Sequence, residues 1–244
     1  MGNAWRKISG LFWGLYAWSV FAVVSLTTTL IVALLPDLDR RRRVARAGSR
    51  LIFLATGIDL EVVETGSLPP EACVVVANHA SYLDGVILTA ALPPSFSFVI
   101  KREITAVPLA HLLLRRLGSE FVERFDRHRG ASDARRIMRR AREGDALVFF
   151  PEGTFQAEPG LMRFRTGAFA AAARSQLPVV PVVIIGSREI LPAKRWLPRR
   201  QSLQVIITPP IDLSEHAAGH TPRTLLSLSR ERILEHLEEP DLSR

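Results

Sequence analysis

Hydrophobic residues fill the beginning of this chain without interruption by charge. Residues 8–36 contain no charged side chain, and this run exceeds the roughly 20 apolar residues that a helix needs to cross a bilayer. Aromatic side chains of the kind that favour a membrane interface gather near its start: Trp5, Trp13, Tyr16 and Trp18. The pattern predicts a membrane-anchoring segment. It is either one tilted span or two short helices in one leaflet, with a bend at the three threonines of residues 27–29.

A basic stretch follows the apolar run. Residues 37–50 contain two aspartates and six arginines, which are Arg40, Arg41, Arg42, Arg43, Arg46 and Arg50. Such a cluster beside an apolar segment suits an anionic lipid surface. A cleavable signal peptide has an apolar core of only about 7–15 residues, so this segment is too long for one. We therefore predict that residues 1–50 form a membrane anchor with a basic flank and that residues 51–244 form a separate domain.

In the remainder, short apolar runs rich in β-branched residues alternate with helical patterns. The runs predict strands at residues 73–77, 96–100, 146–150, 179–185 and 203–208. Residues 132–143 place apolar side chains at helical spacing, with Ser132 as N-cap and Gly144 as terminator. Residues 222–238 form a last amphipathic helix with Thr221 as its N-cap. This alternation predicts an α/β fold, with a mixed, largely parallel sheet flanked by helices.

Composition restricts the possible partners. The chain is 48% hydrophobic with a mean hydropathy of +0.15, which excludes a mainly disordered protein. Lys and Arg number 32 against 24 Asp and Glu, and this excess suggests an anionic partner: nucleic acid, phospholipid or a phosphorylated small molecule. The single cysteine, Cys73, excludes an internal disulfide and any multi-cysteine metal centre.

A polar cluster follows the predicted strand at residues 73–77. Residues 78–85 read Asn-His-Ala-Ser-Tyr-Leu-Asp-Gly, and the end of a buried strand is the usual place for function in α/β folds. A strand-to-helix turn would bring Asp84 to one ring nitrogen of His79 and leave the other nitrogen free as a general base. The alternative is a structural histidine, with Asp84 as the N-cap of the next helix.

Two more clusters contain candidate binding residues. The strand at 146–150 runs into Pro-Glu-Gly-Thr, where Gly153 allows close backbone approach and Glu152 and Thr154 offer polar contacts. An ordinary turn has the same composition. Residues 118–124 end at Arg124, a candidate bidentate ligand for phosphate.

These clusters resemble the sequence blocks of a known family. Asn78 with His79-xxxx-Asp84 is similar to block one of the glycerolipid acyltransferases of the lysophosphatidic acid type. Further segments resemble, in the family's order, the stretch between blocks one and two and then blocks two, three and four: residues 101–108, 118–124, 150–154 and 180–182. The apolar N-terminal segment resembles the family's membrane anchor.

The resemblance implies a fold, a reaction and a location. It implies a glycerol-3-phosphate acyltransferase-like catalytic domain over residues 51–244, at the cytoplasmic face of a bacterial inner membrane. A fatty acyl group would pass from acyl-CoA or acyl carrier protein to the free hydroxyl of a lysophospholipid, with 1-acyl-sn-glycerol-3-phosphate preferred because Arg124 would bind its phosphate. His79 would take the hydroxyl proton while Asp84 orients His79, without a covalent acyl-enzyme, a metal or a cofactor. Substrate binding is implied for Arg124, Glu152, Gly153, Thr154 and Lys101.

Two positions depart from the family pattern. Block two often carries Asp before its arginine, where this chain has Glu123. Phe155 follows block three where the family usually carries Arg or Ser, which removes a possible polar contact near the acceptor head group. Another lysolipid, such as lyso-ornithine lipid or another lysophospholipid, is therefore the alternative acceptor.

Other functions remain as alternatives. Covalent catalysis through Ser81 or Cys73 is disfavoured, because Ser81 lacks a G-x-S-x-G elbow and Cys73 lies in an apolar strand. A metal site built from His79, Asp84 and Glu152 lacks any recognised ligand spacing. A non-catalytic basic protein that binds acidic lipid or nucleic acid would explain the charge but not the polar clusters, so we expect no nucleic-acid partner.

Overall fold

One sheet forms the centre of the protein. The computed structural model describes residues 2–123, 127–211 and 221–243, without the side chains of residues 2–7 and 127–131. Its strands are β1 (Leu60–Glu64), β2 (Val74–Ala77), β3 (Ser97–Lys101), β4 (Glu120–Val122), β5 (Leu147–Phe149), β6 (Val179–Ile185) and β7 (Leu203–Ile207). They lie in the order β1-β7-β6-β2-β5-β3-β4. Neighbouring strands are parallel except β6 and β7, so the predicted mixed, largely parallel sheet is confirmed.

Helices cover both faces of this sheet. They are α1 (Gly2–Leu34), α2 (Leu38–Thr56), α3 (Asp84–Ala91), α4 (Pro108–Arg116), α5 (Arg127–Arg142), α6 (Gly167–Ser175), α7 (Ser187–Ile190) and α8 (Pro222–Leu234), with a 3-10 turn at Arg102–Ala106. Side chains alternate between the two faces along β2. Val75 packs in the core shared with α2 and α3, whereas Val74 and Val76 pack in the core shared with α6 and α8.

The local patterns located most elements. All five predicted strands are present with ends that differ by at most one residue, whereas β1 and β4 were not predicted. Thr221 caps α8 as predicted, because its hydroxyl accepts a hydrogen bond from the Thr224 N–H. Ser132 as N-cap is wrong, because α5 already begins at Arg127. Gly144 does terminate α5: it adopts a φ of +92°, and its N–H donates to the carbonyl of Ala141.

The apolar N-terminal segment is one continuous helix. The predicted bend at residues 27–29 is wrong, since α1 runs unbroken through them to Leu34. The Thr29 hydroxyl donates a hydrogen bond back to the carbonyl of Ser25. Thr28 packs so closely on Gly48 of α2 that a Cβ at position 48 would collide with the threonine side chain. The chain reverses after α1, and the Asp37 side chain caps α2 by accepting from the Arg40 N–H. A hairpin of α1 and α2 results.

One side of α1 contacts the rest of the protein along most of its length. The Trp13 indole donates to the carbonyl of Thr56, and the Arg116 guanidinium donates to the carbonyls of Ala33 and Leu35. The other side is apolar and exposed, as at Phe12 and Val23. Among the described residues, α1 is the one helix that is long and apolar enough to cross a membrane, as judged by length and composition.

Much of the arginine cluster binds the protein itself. Arg42 is buried and donates to the carbonyls of Ser95 and Leu117, and Arg50 donates to the carbonyl of Ala90. Arg40 and Arg43 are exposed. The expectation that the whole cluster faces lipid is therefore too broad. The predicted boundary between residues 50 and 51 falls inside α2, and the division into anchor and catalytic domain stays a prediction.

Candidate active site

The predicted site residues follow parallel strands that end at one edge of the sheet. His79 comes two residues after β2, Glu152 three residues after β5, and Lys101 is the last residue of β3. Because β2, β5 and β3 are parallel neighbours, these three positions lie along the same edge. The carboxyl edge of such a sheet is where α/β proteins usually bind their ligands.

His79 and Asp84 form the predicted pair. The Nδ1 atom of His79 lies 2.8 Å from Oδ2 of Asp84. The same oxygen accepts from the N–H groups of Ala80 and Ser81 at 2.7 and 2.9 Å, which closes the turn between β2 and α3. Asp84 is fully buried. Because the Asp84 carboxylate accepts a hydrogen bond from Nδ1–H, Nε2 of the neutral ring is left as the proton acceptor. Asp84 is the first residue of α3, and the N-cap position is Leu83.

Asn78 fixes the end of β2 against β6. Its side-chain amide donates to the carbonyl of Ile184 at 2.9 Å, and its oxygen accepts from the Ile184 N–H at 2.7 Å. The side chain therefore continues the strand pairing by one position. It holds the backbone just before His79.

Glu152 joins two loops by binding backbone. Its Oε1 accepts from the His79 N–H at 2.6 Å, and its Oε2 accepts from the Met162 N–H at 2.8 Å. The residue is only 4% exposed, and burial raises the pKa of its carboxyl to about 7, although both N–H donors favour the charged form. Both oxygens are thus engaged within the protein, and the side chain holds the backbone of His79 in place.

Aromatic rings surround the histidine. Phe150 stacks on the His79 ring with centroids 4.3 Å apart, and Phe155 lies tilted against it at 4.6 Å. Tyr82 meets Phe155 edge to face and is itself 67% exposed. Phe155, which departs from the family pattern, therefore forms an apolar wall beside the proposed base.

The other predicted binding residues differ in their surroundings. Gly153 has a φ of +77°, a conformation that favours glycine, and its N–H closes a turn onto the carbonyl of Phe150. Thr154 and Lys101 are exposed at the sheet edge. Arg124 lies outside the described residues, two positions after β4.

The alternative chemistries find little support in the geometry. Cys73 is buried, which raises the pKa of its thiol to about 12 and leaves almost no thiolate at neutral pH. The Ser81 hydroxyl is buried and donates to the carbonyl of Leu191. Within the part of the chain that the structure describes, no three His, Cys, Asp or Glu side chains are arranged to hold a metal ion.

Three charged residues that the sequence did not single out hold the loop that carries Met162. Arg230 donates to the carbonyls of Leu161 and Met162, at 2.8 and 2.6 Å. Arg188 and Glu239 form a bidentate ion pair at 2.7 and 2.8 Å, and Glu239 also accepts from the Gly160 N–H. Arg230 lies within α8 and Glu239 lies after it, so no local signal separates them from the many other charged residues. Arg188 lies three residues after β6, in the run Ser-Arg-Glu, and this position at a strand end is the signal that could have found it.

Comparisons with known proteins identify the family of the chain. A family model described as Acyltransferase matches residues 59–185. Over 154 residues the chain is 30% identical to the chloroplastic 1-acyl-sn-glycerol-3-phosphate acyltransferase BAT2 of Brassica napus, a match that covers 63% of this chain and 44% of that protein. Over 146 residues it is 34% identical to a lyso-ornithine lipid O-acyltransferase of Pseudomonas aeruginosa, covering 58% of this chain and 54% of that one. The chain thus spans about half the length of these relatives.

A solved structure shares the whole architecture. The crystal structure of the 1-acyl-sn-glycerophosphate acyltransferase PlsC from Thermotoga maritima superposes with a TM-score of 0.78 at 21% identity, and the match covers 94% of this chain and 95% of that one. At this identity the likeness supports the fold.

Proposed function

This chain belongs to the acyltransferase family, and we propose that it transfers a fatty acyl group from a thioester to the free hydroxyl of a lysophospholipid. The observation that carries the proposal is the pair formed by His79 and Asp84 at the carboxyl edge of the sheet. In this pair the buried Asp84 carboxylate binds one ring nitrogen of His79 and leaves the other nitrogen free to act as a base. A transfer to a hydroxyl needs such a base.

The reaction follows from this geometry. The acceptor oxygen attacks the thioester carbonyl as its proton moves to Nε2 of His79, and the positive charge on the ring is stabilised by Asp84. The carbon–sulfur bond then breaks, the new carbon–oxygen ester bond remains, and the imidazolium returns its proton to the leaving thiolate. Neither a covalent acyl-enzyme nor a cofactor is required. Acyl-CoA and acyl carrier protein are the donor classes that fit.

The acceptor we favour is 1-acyl-sn-glycerol-3-phosphate. Its phosphate would meet Lys101 at the end of β3 and Arg124 just after β4, with Thr154 adjacent. Lyso-ornithine lipid is the second candidate, for a specific reason. Phe155 packs on His79 and places an apolar ring where a basic side chain would help to bind a phosphate.

We place the protein on the cytoplasmic face of a bacterial inner membrane, with α1 lying along the surface. The protein contacts α1 from Trp13 to Leu35, which is about 30 Å of helix. A helix attached to its domain over that length has no free segment to cross the bilayer. Its exposed apolar side, including Phe12 and Leu30, would instead lie among the lipid chains.

Acyl transfer by membranes that contain wild type or His79→Ala tests the function. Labelled acyl-CoA and acyl carrier protein would be offered with a panel of lysolipids. We expect His79→Ala to lose at least about 100-fold in rate, the usual contribution of a general base. His236→Ala is the matched control and should transfer at the wild-type rate, because His236 follows α8, which packs on the face of the sheet opposite α3, and the contacts to the Met162 loop come from residues 239, 240 and 242.

Each outcome has a defined meaning. Transfer to lysophosphatidic acid that depends on His79 supports the favoured acceptor, and transfer only to lyso-ornithine lipid supports the second. Turnover near wild type in His79→Ala would refute the assigned base. A wild-type chain that transfers to no acceptor would refute the acyltransferase proposal.

A further inference from the structure

We propose that the loop of residues 191–200 is a second membrane contact, with Trp196 inserted in the head-group region of an anionic bilayer beside the active site. The inference rests on the proposed function, since it concerns how the same site reaches a lipid acceptor. The sequence of the loop, Leu-Pro-Ala-Lys-Arg-Trp-Leu-Pro-Arg-Arg, lies outside the recognised blocks.

The loop leaves the sheet at the edge that carries His79. It follows β6 and α7, and β6 is the parallel neighbour of β2. The carbonyl of Leu191 accepts the hydroxyl hydrogen bond of Ser81 at 2.7 Å, two residues after His79 in the chain. The beginning of the loop is thus joined to the turn that holds the proposed base.

The middle of the loop is joined to α1. The Trp18 indole donates to the carbonyl of Trp196 at 2.6 Å. Leu197 lies so close to Gly14 that a Cβ at that glycine would stand 2.6 Å from the leucine side chain. The loop therefore connects the active-site turn with the helix whose apolar side is exposed.

Trp196 is held facing outward. Trp196 is 65% exposed, although its backbone carbonyl is bound to Trp18 of α1. The loop is closed on itself by the Arg195 N–H, which donates to the carbonyl of Pro192, and by the Arg199 N–H, which donates to the carbonyl of Ile190. Leu15, which is also exposed, lies one turn of α1 before Trp18, the residue that binds the Trp196 backbone. The exposed indole therefore adds to the exposed apolar side of α1.

Charge selects the partner. The loop contains no acidic residue and four basic ones, Lys194, Arg195, Arg199 and Arg200. Arg200 donates to the carbonyl of Gly57, whereas Lys194 and Arg199 are exposed in the same loop as Trp196. Tryptophan prefers the boundary between lipid chains and water, and basic side chains bind the anionic head groups there. An anionic bilayer surface matches both features.

The consequence concerns the acceptor. With α1 and the loop both at the interface, the turn at residues 79–84 faces the leaflet between them. A lysolipid would move from the leaflet past Trp196 and the exposed Tyr82 to Nε2 of His79. Its acyl chain would not have to enter water.

Fluorescence quenching in vesicles tests the contact directly. The full-length chain would be reconstituted in phosphatidylcholine–phosphatidylglycerol vesicles with a thiol-reactive fluorophore at Trp196→Cys. The native Cys73 is buried and does not compete for the label. The matched control is Ser227→Cys, an exposed position on α8, which covers the opposite face of the sheet.

We expect lipids brominated on their chains to reduce the emission at position 196 at least twofold and to leave position 227 unchanged. Acrylamide in the water should quench position 227 and spare position 196. Equal quenching of both positions by acrylamide, without quenching by the brominated lipids, would overturn the proposal.

An activity measurement adds a second readout. Trp196→Ser should lower acyl transfer to an acceptor presented in anionic vesicles at least threefold, and transfer to a short-chain acceptor dissolved as monomers should fall much less. An equal fall for both acceptors would contradict a membrane role and indicate a structural one. If wild type transfers no acyl group, the proposed function fails, and the quenching result still decides the membrane contact.

Discussion

At the scale of single residues, Glu152 acts through the backbone that it holds. It is the central residue of block three, yet both of its oxygens accept from main-chain N–H groups, one of them that of His79. A carboxylate accepts two such bonds with a geometry that an alcohol or an amide does not reproduce. The glutamate thereby fixes the position of the histidine relative to the strand end.

Substitution of Glu152 by glutamine should change how stability depends on pH. The folded-state pKa of about 7 lies above the ordinary 4.5, so the folded protein binds this proton more tightly than the unfolded chain does. The stability contributed by that proton is fully present below pH 4.5 and is lost as pH rises through 7. By pH 8 the loss is about 3 kcal/mol, or roughly 6–12 °C in melting temperature.

Thermal melts between pH 4 and 8 measure this effect. The melting temperature of wild type relative to Glu152→Gln should fall as pH rises, because glutamine does not titrate. Glu158→Gln, at an exposed position in the same loop, should keep a constant difference from wild type. A constant difference for Glu152→Gln as well would show that folding does not raise the pKa of Glu152.

At the scale of elements, the C-terminal segment after α8 holds the loop that follows block three. The Leu161 N–H donates to the carbonyl of Pro240, and the Leu242 N–H donates to the carbonyl of Leu161. Gly160 allows this approach, because a Cβ there would lie 2.4 Å from the Leu242 side chain. Contacts at the end of the chain therefore reach His79 through Met162 and Glu152.

Removal of one charge from this segment should weaken both stability and turnover. Glu239→Gln leaves the buried guanidinium of Arg188 without its ion-pair partner, a change that typically costs about 3–5 kcal/mol. The melting temperature should fall by roughly 6 °C or more. Glu238→Gln changes the neighbouring exposed carboxylate and should melt like wild type. Equal melting temperatures for the two variants would contradict a role for the segment in holding the loop.

At the scale of the whole molecule, the hairpin of α1 and α2 is an integral part of the fold. The guanidinium of Arg42 reaches from α2 to the carbonyl of Leu117 after α4 and to the carbonyl of Ser95 before β3. Burial lowers the pKa of Arg42, although an arginine stays charged at any physiological pH. The hairpin and the rest of the domain are thus joined by buried hydrogen bonds as well as by apolar packing.

Two adjacent arginines should therefore respond differently to the same substitution. Arg42→Gln should lose about 1.5–3 kcal/mol of stability, the cost of removing hydrogen bonds made by a charged donor. Arg43→Gln should stay within about 0.5 kcal/mol of wild type, because Arg43 is exposed. Melting temperatures of the two purified variants in the same detergent measure the difference, and a larger loss for Arg43→Gln would show that the hairpin is not held in this way.

The sequence predicted what depends on local pattern. Apolar runs such as residues 179–185 located the strands, because a buried parallel strand must be hydrophobic on both faces. The spacing between His79 and Asp84 fits one strand-to-helix turn, so the pair was predictable from five residues of separation. The three-residue β4 was missed, because so short a strand has no periodicity to recognise.

Contacts between distant parts of the chain were decided only by the tertiary structure. The bond from Glu152 to the His79 backbone joins residues 73 positions apart, and the bond from Trp18 to Trp196 joins residues 178 apart. Whether an arginine such as Arg42 faces lipid or binds a carbonyl also depends on what packs against it. By itself, the sequence determined the α/β class, the long apolar N-terminal segment and the pairing of His79 with Asp84, because each follows from the chemistry of neighbouring residues. Only the tertiary structure decided that α1 lies against the domain and that the Phe155 ring packs on His79, because both contacts depend on which distant parts of the chain meet.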